Sequence, residues 1–267
     1  MGKNPAWSWY IIWYFFLGGV AAGAYVLAAT ADLFGRRDDR RLAGIGYGVA
    51  LTLVAVCPIL LTLDLGMPGR ALNMFRVFRP GSPMSVGSWA LVGFGLAALS
   101  SLILALRDRP DELPLRRAVA VPGALLGFFV ASYTGVLLGA TNRPAWAGNE
   151  WIGPLFLVSA ASTGLAALVL LMAGGEVAGL RRFHLAAIVV EAVLLAVFVR
   201  SVGPKAAVVL LGPLAVPFWG GVVLAGLALP LALALRPALA AAQVTAAVLV
   251  LLGGFALRYV VLSVGQV

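Results

Sequence analysis

Trp7 to Leu33 reads WSWYIIWYFFLGGVAAGAYVLAATADL, a run whose only charged side chain, Asp32, comes near its far end. A helix rises about 1.5 Å per residue and a bilayer core is about 30 Å thick, so this stretch is long enough to cross a membrane. Seven further apolar runs bounded by charge follow, at Leu42 to Leu65, Val86 to Leu106, Ala118 to Thr141, Pro154 to Ala173, Phe183 to Val202, Ala215 to Leu235 and Leu239 to Leu262. They are apolar on nearly every face, whereas strands of a membrane barrel would alternate apolar with polar residues. The expectation is an all-α, polytopic integral membrane protein, a single transmembrane domain of eight helices. The first run follows only Met1 to Pro5 and outlasts a cleavable signal, so it reads as a retained span.

Composition agrees with that reading. Of 267 residues, 62% are hydrophobic and 11% charged, against roughly a quarter charged in soluble domains. Little sequence is left for a separate soluble catalytic domain. The inventory of metal ligands is short: one histidine, His184, and one cysteine, Cys57. A b-type haem normally needs paired histidines and an iron-sulfur cluster about four cysteines, so neither haem nor cluster is expected in this protein, nor any bound metal. Cys57, followed by Pro58 in an apolar run, reads as an inert core residue.

The formal charge of +9 lies in turns between spans. Lipid headgroups and topology account for it, and no nucleic-acid partner is expected. Eleven arginines, at 36, 37, 40, 41, 107, 109, 116, 117, 181, 182 and 236, follow spans one, three, five and seven, against seven basic residues on the other side. The positive-inside rule then puts both termini outside the cytoplasm. Three of the outer charges sit in one connection, Gly66 to Ser85. There Ala71, Leu72, Phe75 and Phe78 follow helical spacing while Arg70, Arg76 and Arg79 point elsewhere. The segment reads as a short interfacial helix, either a lipid anchor or a docking platform for a partner protein.

Polar groups within spans are costly and are read as functional unless a partner is found. Asp64 ends the second span, where the helix macrodipole disfavours a carboxylate. It reads as a proton acceptor near the outer surface, or as an interfacial acid paired with Arg70 or Arg258. Tyr10 and Trp13 suit an aromatic belt, while the deeper Tyr14 and Tyr133 each need a hydrogen-bond partner, on another helix or on a ligand. Tyr10, Tyr14, Tyr25 and Asp32 fall on one stripe of the first span. His184 and Glu191 share a face of the sixth and suit part of a proton route from the inner side, or a buried acid neutralised by an arginine. Arg200 and Arg258 suit snorkelling. Gly19 and Gly23 have the small-xxx-small spacing of close helix packing, and Gly253 and Gly254 invite the same interpretation.

Specific strings then carry a resemblance. YFFLGGVAAGAY (Tyr14 to Tyr25), LDLGMPGR (Leu63 to Arg70), NMFRVFRPGSPMSVGS (Asn73 to Ser88), YTG (Tyr133 to Gly135) and GGFALRYVVLSVGQ (Gly253 to Gln266) resemble the NrfD-like family, the membrane subunits of polysulfide reductase and related complexes. The resemblance implies two four-helix bundles in a bacterial or archaeal cytoplasmic membrane, with no cofactor of their own. It implies an exchangeable menaquinone or ubiquinone near the outer surface, and electrons passing to or from a ferredoxin-like iron-sulfur subunit that serves a molybdopterin enzyme or a multihaem cytochrome c. It associates Asp64, and more weakly Tyr133, with the quinone site. Trp13, Tyr14 and Arg258 complete the expected quinone set; Glu191, His184, Tyr25 and Asp32 form the expected proton path. Two other readings remain open from the residues: a proton or ion transporter, for which the prolines at 213, 217 and 230 would break a helix, and a purely structural anchor.

Overall fold

The computed structural model describes residues 8–35, 39–65, 68–143, 145–172, 178–235 and 240–266; the side chains of 68, 70, 71, 74, 178–181 and 240 also lie outside the description. Among the described residues there are helices and turns and no strands. The spans are α1 (Trp9–Phe34), α2 (Arg40–Asp64), α3 (Pro83–Arg107), α4 (Leu113–Gly139), α5 (Ile152–Leu171) and α6 (Ala178–Ser201). After a short α7 (Ala206–Leu210), the seventh span is the π-helix Pro217–Ala228 continued by α8 (Leu229–Ala234), and α9 (Ala240–Val264) is the eighth. Eight of these helical segments are long and apolar enough to cross a membrane.

Local chemistry sets the ends. Ser8 caps α1, its hydroxyl oxygen accepting from the Tyr10 N–H at 3.2 Å. That satisfies one of the free N–H groups of the first turn. The third and fourth spans begin three and five residues before the hydropathy edge, because Pro83 and Pro114 sit in their first turns, where a missing N–H loses nothing. One result is that Arg116 and Arg117, counted as turn residues in the sequence, are helical.

Two four-helix rings result. In one, α1 packs on α2 and α4, and α3 closes the circle against α2 and α4. In the other, α5 packs on α6 and α9, α9 on the π-helix and α8, and α8 on α6. The two join chiefly where α5 meets α1 and α4, with α9 also against α1. At the join, a Cβ on Gly23 would overlap the Ala160 carbonyl oxygen, and one on Gly164 would overlap the Ala24 nitrogen. Only glycine fits there. The α4–α5 connection is pinned by Trp146, fully buried, whose indole N–H donates to the Val261 carbonyl at 2.7 Å.

The connection read as an interfacial helix takes a different form. It is a 3-10 helix over Pro68–Phe75, so Phe78 lies beyond it in the connection to α3. Phe75 and Phe78 both meet the edge of Trp89, at 5.9 and 6.4 Å between ring centres.

Candidate functional site

Where α1 begins and α2 ends, the Ser8 hydroxyl donates to Asp64 Oδ1 in a very short bond. The same oxygen that caps α1 therefore holds the acid. No described arginine pairs with Asp64, and Arg258 is engaged elsewhere; the Arg70 side chain lies outside the description. Deeper in the same bundle, Tyr14 of α1 has Cys57 of α2 and Tyr133 of α4 as neighbours. Tyr133 donates its phenol proton to the Pro83 carbonyl at the start of α3 in another very short bond. Its ring lies against Gly87, where a Cβ would overlap the phenol oxygen. For Tyr133 the interhelix bond is thus realised. Cys57 is buried, its thiol donating to the Leu53 carbonyl at 3.4 Å.

Trp13 lies away from this group. It packs on Phe255 of α9 at 4.6 Å and lines an open apolar groove of about 960 Å³ between the bundles.

Arg258 does not snorkel. It is 1% exposed, and its Nη1 donates to the Ser159 hydroxyl and, at 3.0 Å, to the Gly254 carbonyl. Its guanidinium carbon lies 5.2 Å from the centre of the Phe156 ring. A Cβ on Gly19 would come within 2.9 Å of its Nη2, so that glycine makes room for the arginine as well as for helix packing. Glu191 of α6, also buried, feels this positive charge and has Ser159 and Ser162 as polar neighbours. No described ion pair joins Glu191 to Arg258; the two buried groups lie near each other, with Ser159 bonded to the arginine. No described bond or ion pair joins His184 to Glu191.

The other half of the expected proton path is in the other bundle. Tyr25 shares a hydrogen bond with Ser101 at 2.7 Å, and its ring lies 5.0 Å from Tyr47. Asp32 Oδ2 accepts from the Tyr47 hydroxyl at 2.8 Å and from Arg116 Nε at 2.7 Å. Arg116 also reaches Asp108, which pairs with Arg40 at 3.2 Å. Thus Tyr25 and Asp32 sit among α1 to α4, while Glu191 and His184 belong to α6. No described contact makes them one route. Ser8, Tyr47, Ser101, Arg116, Ser159 and Ser162 went unremarked in the sequence as partners; only Arg116 carried a signal there, as a cation bordering a span.

Beside Asp64, the 68–82 connection presents Leu72, Val77 and Phe78 well exposed, with Arg76 and Arg79 among them. Among the described residues, no three His, Cys, Asp or Glu side chains gather as a metal-ligand set.

An all-helical membrane protein with an acid and tyrosines at one end narrows the comparison, and a family model described as "Polysulphide reductase, NrfD" matches residues 1–267. The protein belongs to the NrfD polysulphide reductase family. Among curated proteins, it is similar to the C subunit of polysulfide reductase from Wolinella succinogenes, 28% identical over 305 aligned positions that cover 99% of this sequence and 95% of that one. As a NrfD-family protein it is an integral, multi-pass membrane subunit.

Proposed function

We propose that this NrfD-family protein is the quinone-reactive membrane subunit of a respiratory oxidoreductase complex. It exchanges electrons between the membrane pool of menaquinone or ubiquinone and an iron-sulfur subunit docked beside Asp64. That partner in turn serves a molybdopterin catalytic subunit or a multihaem cytochrome c. The family resemblance supports a cytoplasmic membrane, and the arginine asymmetry supports both termini and this docking face outside it. The name of the Wolinella relative, one component of polysulfide reductase, supports the subunit role.

The observation that carries the proposal is the Ser8–Asp64 contact: an acid at a span end, held by a hydroxyl with no described arginine to neutralise it. One carboxylate oxygen is fixed by Ser8, which leaves the other to take a proton from a ring hydroxyl. Tyr14 and Tyr133 line the bundle below, and Tyr133 can offer a lone pair while its O–H stays directed at the Pro83 carbonyl. Quinol bound here would release two electrons, to the docked cluster, and two protons, one through Asp64 and the other to water at the outer surface. Quinone reduction uses the same groups in reverse. Phe75, Phe78, Arg76 and Arg79, with Arg70, form the proposed docking surface.

In the assembled complex, Asp64→Asn lowers quinol-linked turnover by about 100-fold or more while subunit association is kept. Normal turnover in that variant overturns the assignment. A second reading, coupling to proton translocation, is favoured by the buried Glu191–Arg258 cluster. Proton flux through the isolated protein in liposomes, with neither quinone nor partner, would instead make it a transporter.

A further inference from the structure

The groove that Trp13 lines runs between the bundles and is walled by residues such as Leu17 of α1, Ile45 and Thr52 of α2, Leu170 of α5 and Leu252 of α9. Among the described residues, Thr52 is the one hydroxyl in the wall, and it donates to the Gly48 carbonyl at 2.9 Å. Apart from the Trp13 indole N–H at its Asp64 end, the groove therefore offers no free polar side-chain group to a headgroup. What fills its roughly 960 Å³ is therefore chiefly hydrocarbon. Towards the Asp64 end it is bounded by the Trp13–Phe255 contact. At the opposite end it is bordered by Ile45 and Leu171.

One helical turn beyond Ile45, on the same face of α2, comes Arg41. Arg41 is exposed and, among the described residues, pairs with no carboxylate, whereas its neighbour Arg40 is held by Asp108. An exposed cation one helical turn beyond the lining of a hydrocarbon slot matches an amphiphile with an anionic head and acyl tails directed inward. A quinone carries no anionic group, and a zwitterionic lipid brings a compensating ammonium.

We infer that the seam between the two bundles is a binding site for an anionic phospholipid, with its acyl tails in the groove and its phosphate at Arg41. The bound lipid wedges α2 against α9 and lends the junction of the bundles a hydrocarbon packing surface that the protein does not supply.

Thermal unfolding of the delipidated full-length protein in mild detergent tests this. Added phosphatidylglycerol raises the apparent Tm by on the order of 5 °C, while phosphatidylcholine and ubiquinone raise it by less than half as much. Arg41→Gln, a substitution of an exposed side chain, loses most of the phosphatidylglycerol response. Thr52→Trp, which fills the groove, loses it as well; should that variant not fold, Arg41→Gln decides alone. Equal shifts with phosphatidylcholine, a larger shift with ubiquinone, or an undiminished response in Arg41→Gln overturns the inference.

Discussion

Among the described residues, Arg116 and Arg258 lie buried, and each faces an acid from a different helix. Arg116 binds Asp32 directly, with Tyr47 completing the carboxylate. Arg258 donates to Ser159 and lies within electrostatic reach of the buried Glu191, and its Nε and the Ser162 hydroxyl have no described hydrogen-bond partner. Removing one member of a buried pair strands the other and costs about 3 to 5 kcal/mol. Arg258→Met should therefore destabilise the protein strongly, and Glu191→Gln less, because an amide keeps the serine contacts. The two single losses should sum to clearly more than the loss in the double variant, since there no charge is left alone. Denaturant unfolding in detergent measures this cycle; strict additivity would mean that the two side chains do not interact.

The elements depend on how closely their backbones approach. Gly23 lies against Ala160 and Gly164, and a side chain there must push α1 off α5. Gly23→Leu should lower stability by about 1 to 3 kcal/mol, the usual cost of overpacking, and should loosen the two bundles, as read by protease cleavage of the 140–151 connection. Hydropathy alone disclosed the eight spans, because lipid demands an unbroken apolar run. It misplaced the starts of the third and fourth spans, where prolines extend helices beyond the apolar window. It also gave no hint that the 68–75 segment would wind as a 3-10 helix. The site was legible only in part. Asp64, Tyr133 and Glu191 stood out as polar groups in apolar surroundings, but their neighbours are far away in sequence: Ser8 is 56 residues from Asp64, and Ser159 is 99 from Arg258. Periodicity orients a side chain on its own helix and is silent about which helix it will meet.

For the whole molecule, the exposed ridge beside Asp64 combines aromatic and cationic groups. If a partner subunit docks there, Arg76→Gln with Arg79→Gln should weaken association several-fold at low ionic strength and have little effect at 1 M salt, where charges are screened beyond about 3 Å. Phe75→Ala with Phe78→Ala should weaken it at both. Association measured by co-purification or interferometry separates the two contributions, and a ridge whose four substitutions leave binding unchanged is not the docking face.

α1 touches both bundles, and its first turn is fastened by the hydroxyl that also grips Asp64. A carboxylate that gains a proton becomes a donor in its own right and competes for that serine oxygen with the Tyr10 amide. A chemical event at the rim would then reach, with no moving loop to carry it, a rod that packs on both halves.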